Sequence, residues 1–389
     1  MEMPATNPDA TLGAEAKPIP SPLAGVYASA GARMGVWFGC ALPNDFADPA
    51  AEYRFANQTV ALEDKNYRTY LKFTGPDRVR YLNAILTNNI KDLAAGQGAV
   101  SLLLNPQGHI LAEIEIYALT DHHLCVSYAM IREQLVQWID KYIIMDDVTL
   151  TDETERWSTL ALEGPMAGAV VKELARVDLQ QLKELSSVEA CLLPDHAAAA
   201  PSPEGSPAAV SQVPCRVVKR SPGGAAGAEF VVERHHLPTL WRILREAARK
   251  HGGGPAGYTA LSGQRLAQGV PWFGYDFGEK QIPHEAGLEN SHISYTKGCY
   301  TGQEIVERVR SRGHVNRRRV SLLFSGDEVP EPGVALTAND GKEVGSVTRA
   351  ARVWDPPRII GMGYVRKDAE APGTTLHWPG GTATVMGLP

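Results

Sequence analysis

The stretch "KGCYTGQE", residues 297–304, is the most chemically suggestive in the chain. Cys299 stands two residues after Lys297 and upstream of Arg308, Arg310 and Arg312. Nearby cations stabilise a thiolate, and the thiolate is the form that attacks electrophiles and ligates metals. Gly298 and Gly302 let a backbone approach closely. Three readings of Cys299 follow: a working thiol, a ligand to a cluster whose other ligands come from elsewhere, or a small residue in a turn. Lys297 carries the charge to steady that thiolate or to neutralise a ligand carboxylate. Tyr300 offers a ring for stacking or for packing beneath the loop. Gln303 both donates and accepts. If "GQEIVERVRSR" is helical, Glu304 reaches Arg308 four residues on, and Ile305, Val306 and Val309 form the buried side.

Other polar residues are candidates for a binding site. Asn105 precedes a Pro-containing turn, where asparagine also has local reasons to occur. His109 and Glu113 share a strand face if the register is regular. Arg265 suits a carboxylate, and Asp276 and Glu285 are candidate pocket acids. His284 and His292 lack a coherent metal spacing, so no metal is assigned. The run "RVRSRGHVNRRR" could meet phosphates. It lacks the interleaved aromatics of a base-stacking platform, so interdomain pairing or a partner contact is the preferred reading.

The five cysteines are odd in number, scattered, and nowhere at CxxC spacing. That argues against a disulfide framework, a zinc ribbon or a self-contained ferredoxin-type site. Cys125 reads as a buried small residue in a strand. A chain of 389 residues exceeds one compact core, and a net charge of −6 does not favour a general nucleic-acid binder. No stretch approaches the roughly 20 apolar residues of a membrane span. The opening residues lack a basic-then-apolar signal pattern. A soluble, cytoplasmic protein is the expectation.

The elements that must position these residues form three groups. Residues 1–55 are rich in Ala, Pro and Gly and read as a flexible segment, with "MGVWFGC" able to dock. Between 56 and 155, "YRTYLKF" alternates as a strand. "GPDRVRYLNAILTNNI" then carries Val79, Leu82, Ile85 and Leu86 at helical spacing, with Asp77 near its start. "GAVSLLLN", "HILAEIEIYAL" and "HLCVSYA" read as strands, and "MIREQLVQWIDKYI" as an amphipathic helix. From 156 to 255, "WSTLALEGPMAGAVVKELA" repeats the strand, Gly-Pro turn and helix order, interrupted by a low-complexity loop at 193–212. Residues 256–316 connect these units to short strands at 317–389, a small β-barrel or sandwich. The class is α+β: two related split α/β domains followed by the barrel.

"KGCYTGQE" with the downstream "R…RG…NRR" resembles the YgfZ-type proteins, relatives of the aminomethyltransferase, or T-protein, of the glycine cleavage system. "GQRLAQGVPWFGYDFGEKQIPHEAGLENSHISYTKGCYTGQE" fits in order and spacing. "TGPDRVRYLNAILTNNI" and "LLLNPQGHILAEI" resemble the family's folate-binding region, and "GSVTRAA", "IGMGYVRK" and "TATV" its closing barrel. The resemblance implies a three-domain ring with a central pocket for a tetrahydrofolate derivative. It implies an accessory factor for maturation or repair of iron–sulfur enzymes, acting through Cys299 and Lys297 near that pocket. Asn105, Glu113, Arg265, Glu285, Tyr300 and Gln303 would line the folate site. Partners would be iron–sulfur client enzymes or assembly factors, with an indirect link to enzymes that modify transfer RNA. Two departures accompany it. Ala112 and Glu113 stand where T-proteins typically carry paired aspartates, which points away from simple aminomethyl transfer. Ala267 stands where relatives carry a glutamate. A folate-dependent one-carbon transferase and a scaffold without folate are the alternatives.

Overall fold

The computed structural model describes residues 17–192, 212–222, 224 and 226–387. Apart from Gln212, the expected low-complexity loop at 193–212 lies outside the described residues. Three structural units follow, and their order agrees with the α+β expectation.

The first is a five-stranded antiparallel sheet. Its spatial order is Gly98–Leu104, Ile110–Ala118, His123–Tyr128, Arg68–Thr74 and Thr149–Asp152. Helices Arg78–Ile85 and Arg132–Asp140 supply Tyr81, Leu82, Ile85, Leu135 and Ile139 to a core shared with Leu71, Phe73, Ile114 and Ile116. Of the 3-to-4 stripe read from the sequence, Leu82, Ile85 and Leu86 enter this core, while Val79 stays half-buried. Asp77 sits at the helix N-cap, where its carboxylate accepts from the Asp147 backbone N–H at 2.9 Å and ties the helix start to the loop opposite.

The second is a six-stranded sheet ordered Ser187–Leu192, Val213–Lys219, Gly227–Glu233, Trp157–Glu163, Ala61–Asp64 and Gly254–Pro255. Helices Ala167–Ala175 and Leu237–Lys250 cover its outer face. This corrects the sequence-based boundary at 156, because Ala61–Asp64 pairs with Trp157–Glu163 and belongs to the second sheet. The uncovered faces of the two sheets meet through Tyr70, Tyr117, Val126, Val218 and Val231.

The third unit is a closed six-stranded barrel built from strands between Arg317 and Gly387. Val320, Leu322, Val347, Ile359 and Val365 fill its interior.

Residues 17–58 are not the flexible segment that their composition suggested. They form a helix, Ala24–Ser29, a hairpin of Arg33–Trp37 and Cys40–Asp45, and a helix, Pro49–Gln58. Asp48 caps the last helix by accepting from Ala50 and Ala51 N–H, and Pro49 opens it. "MGVWFGC" drives this order. Trp37 and Phe38 are buried among Tyr67, Tyr128, Tyr258, Trp272 and Tyr275. These two large aromatics, with Leu23, Tyr27, Leu42 and Tyr53 of the same segment, anchor it to the body. Among the described residues no helix is long and apolar enough to cross a membrane.

Candidate functional site

A cavity of about 560 Å³ lies where the three units meet. The first sheet contributes Arg68, Glu113 and Tyr128, the second Glu163 and Glu229, and the barrel Arg319. The loops Gln268–Trp272 and Gly287–His292 close it.

Glu113 is the best-organised group in this wall. It lies on Ile110–Ala118, with Leu102 as cross-strand neighbour. The Tyr128 hydroxyl donates to one carboxylate oxygen at 2.7 Å, and His292 Nε2 contacts the other at 2.9 Å. Ser291 Oγ lies 2.7 Å from His292 Nδ1, so a hydroxyl donated there leaves the imidazole proton on Nε2, aimed at Glu113. Two donors fix the carboxylate and leave lone pairs for a ligand N–H. Tyr67, Tyr128 and Trp272 add aromatic surface to the cavity.

A second acid faces the same space. Glu163 ends the strand Trp157–Glu163, and Gln264 Nε2 donates to it at 3.2 Å. Burial, reinforced by the neighbouring Glu63 carboxylate, pushes its carboxyl above the usual range. Below it, charges are balanced: Arg68 bonds Glu229 in a bidentate pair and reaches Glu115 at 3.4 Å, and Arg220 meets Glu115 at 2.8 Å. Among the described residues no group of three or more His, Cys, Asp or Glu side chains is arranged to hold a metal.

The GCVT N-terminal domain model matches residues 23–293, and the glycine cleavage T-protein C-terminal barrel domain matches residues 317–384. The chain belongs to the GCVT family. It is similar to the aminomethyltransferase of Rubrobacter xylanophilus, 27% identical and covering 90% of this chain and 88% of that one. The aminomethyltransferase of Moorella thermoacetica is 28% identical, with 84% of each chain covered. That of Streptomyces avermitilis is 25% identical, with 90% of each covered. The solved glycine cleavage system aminomethyltransferase T from Bartonella henselae shares the fold, with a TM-score of 0.80 over 95% of this chain and 97% of that one, at 21% identity.

Of the residues singled out from the sequence of this GCVT-family chain, Glu113 and His292 line the cavity and the other candidates do not. Cys299 is an exposed free thiol and is not among the residues that line the cavity. Lys297 is held by backbone carbonyls of a distant helix end. Its ammonium donates to the backbone carbonyls of Asn83 at 2.5 Å, Leu86, and Asn88 at 2.9 Å. These carbonyls surround the C-terminus of Arg78–Ile85, where a cation is favourable. Burial lowers this amine to about 8. Tyr300 packs beneath the loop beside Leu102, Leu104 and Ile110, with Lys297 over its ring at 5.1 Å. Gln303 accepts from the Tyr300 N–H at 3.3 Å and orients the loop.

The remaining candidates make contacts within the fold. The Asn105 side chain accepts from Gln107 and His109 N–H at 3.0 and 2.9 Å and shapes its own turn. Arg265 is buried in an ion pair with Asp276 and stacks on Trp272 at 4.6 Å, so it braces a cavity wall from behind. Glu285 pairs with Arg317 at 3.1 Å and joins the connection to the barrel. Glu304 and Arg308 make the expected i,i+4 pair at 2.8 Å.

Three cavity groups escaped the sequence reading as site residues. Glu163 was legible as an acid ending the apolar strand "WSTLALE". His292 was noticed but had no partner until the fold brought Glu113 to it. Arg319 was hidden inside "NRRR", part of the basic run read as an interdomain or partner contact.

Proposed function

We propose that the central cavity binds a tetrahydrofolate derivative, and that the chain carries out folate-dependent one-carbon transfer of the aminomethyltransferase type. The observation that carries this reading is Glu113, a carboxylate in the cavity wall held by Tyr128 and His292. It takes the place that the resemblance gives to the paired aspartates, so their loss does not empty the site of acid. The similarity to aminomethyltransferases across most of the chain supports the same reading.

The residues present fit such a ligand. The volume falls within the roughly 300–1,000 Å³ of small-molecule sites. Tyr67, Tyr128 and Trp272 suit a flat heterocycle, Glu113 and Glu163 suit its N–H groups, and Lys65 suits a carboxylate. When bound, tetrahydrofolate supplies the amines that carry the one-carbon unit. The chain's own part is to hold and orient. Glu113 accepts from a ligand amine and holds positive charge as it develops there. Glu163, its carboxyl raised by burial and by Glu63, holds a proton that it can lend at the cavity surface.

Titration of the full chain with tetrahydrofolate tests this reading, followed by an assay for methylenetetrahydrofolate from an aminomethyl donor. Saturable binding is expected, with Glu113→Ala weakening it by about 10- to 100-fold, as loss of a charged hydrogen bond implies. Equal affinity in wild type and Glu113→Ala would sink the proposal.

The exposed Cys299 thiol favours a second reading, an accessory role toward iron–sulfur enzymes exercised at the surface rather than in the cavity. Further ligands or an electrophile would come from a client protein. In this reading Cys299→Ala lowers client iron–sulfur enzyme activity and leaves the tetrahydrofolate titration unchanged. Normal client activity in that variant removes it.

A further inference from the structure

The face of the barrel turned toward the rest of the molecule carries an excess of buried positive charge. Arg319 lies on Arg317–Phe324 opposite Tyr364, and Arg349 on Glu343–Trp354 opposite Met362. Arg265 approaches the same place from helix Tyr258–Ala267. Arg265 Nη1 and Arg319 Nη1 both point at Met362 Sδ, at 3.9 and 3.2 Å. The three arginines are only 4%, 4% and 9% exposed.

Among the described residues Asp276 alone forms an ion pair with any of the three. Asp276 pairs with Arg265, and it also accepts from Trp272 N–H at 2.9 Å and from Thr348 Oγ1 at 2.7 Å. Its capacity is committed. Arg349 is partly compensated by the faces of Trp37 and Tyr275, at 4.8 and 5.2 Å. Arg319 makes no ion pair and no ring contact among the described residues; Asp276 and Glu289 act on it only from a distance. Its contacts are the Ala286 carbonyl at 2.9 Å and the Met362 thioether. Around it, Arg265 Nε and Nη2, Arg349 Nη1 and the Tyr364 hydroxyl are buried without a hydrogen-bond partner. A buried guanidinium without a counter-charge is strongly unfavourable, and neighbouring cations of the same sign worsen it. Arg319 also lines the central cavity, so a ligand reaches it from there.

We propose that this junction is an anion-binding site for a small oxyanion or carboxylate. Arg319 makes the principal contact, and Arg265 and Arg349 supply the surrounding positive field. The site is separate from the Glu113 constellation and does not rest on folate chemistry. The planar fork of Arg319 suits two oxygens of one anion.

The test is isothermal titration and thermal melting of the full chain with sodium phosphate and with sodium acetate, at constant ionic strength. Wild type is expected to bind at least one of them saturably and to melt higher in its presence. Arg319→Met should bind about tenfold more weakly or worse, yet melt no lower than wild type without the anion, since it removes an uncompensated buried cation. Arg358→Met, at an exposed barrel position, should behave as wild type. Phosphate preferred over acetate assigns the site to a tetrahedral oxyanion, and the reverse order assigns it to a carboxylate. If Arg319→Met does not fold, Arg319→Lys keeps the charge and loses the fork, and it should also weaken binding. The proposal is overturned if neither anion binds wild type saturably below roughly 10 mM, or if the Arg319 variants bind as wild type does.

Discussion

A lysine beside a cysteine invites a chemical reading, and the Lys297 ammonium shows how geometry decides such a pair. Its three backbone carbonyl acceptors come from residues more than 200 positions away, at the end of the helix Arg78–Ile85. The charge is therefore spent on a helix terminus, and the thiol beside it stays exposed. Lys297→Met should destabilise the chain by about 2 kcal/mol, the scale of hydrogen bonds to a charged donor, because it strands buried carbonyls. Cys299→Ser should change stability by less than about 0.5 kcal/mol, as surface substitutions do. Chemical denaturation of the two variants checks the contrast. Equal losses would mean that Lys297 does not anchor the loop. Local spacing revealed the Glu304–Arg308 pair, since i,i+4 neighbours are set by the helix alone. It could not reveal the acceptors of Lys297.

At the scale of elements, Gly302 of "KGCYTGQE" holds the motif against a hairpin. Gly302 adopts φ +81°, and a Cβ there would lie 2.7 Å from the Asn105 carbonyl oxygen. Across the contact, Gly108 has φ +78°, and its Cβ would meet Ile305 at 2.9 Å. The turn shaped by Asn105 and the helix Gln303–Arg312 thus require each other's glycine. Gly298 faces open space, so it admits no packed neighbour. Gly302→Ala combines a left-handed backbone with a backbone clash and should cost about 1–3 kcal/mol. Gly298→Ala should cost less than about 1 kcal/mol. Urea midpoints distinguish the two, and an unchanged midpoint in Gly302→Ala would refute the packing role. Strand and helix types in this region were legible, because periods of two and 3.6 identify half-buried elements. The contact between them was not, because no period records which turn meets which loop.

On the scale of the whole molecule, the two sheets are joined by a buried ionic network of Arg68, Glu115, Arg220 and Glu229. Burial alone would raise the Glu115 carboxyl, but the guanidiniums of Arg68 and Arg220 outweigh it and hold it well below the usual carboxylate range. Burial also raises Glu229, against the pull of Arg68. A carboxylate depressed in the fold contributes stability above its unfolded pKa, near about 4.3. That contribution fades as pH falls through the folded value. Glu115→Gln should therefore melt below wild type at pH 7, and the gap should close as the pH is lowered from about 5 toward 2. Melting curves across that window are the check. A constant gap would show that the Glu115 charge does not link the sheets.

The sequence alone determined the α+β class, the paired α/β units, the barrel and the kinship with T-proteins, because these rest on periodicity, turn residues, motifs and order along the chain. It also brought out Glu113, since the family-like "GHILAEI" placed a carboxylate on a strand. Tertiary structure decided the rest. It ordered residues 17–58 through Trp37 and Phe38, moved Ala61–Asp64 into the second sheet, and brought His292 to Glu113 across 179 positions. It also placed Cys299 at the surface and Arg319 in the cavity. The physical reason is common to all of these. Burial, ion pairing and access to a cavity depend on contacts between distant segments, and spacing along one segment does not encode its distant neighbours.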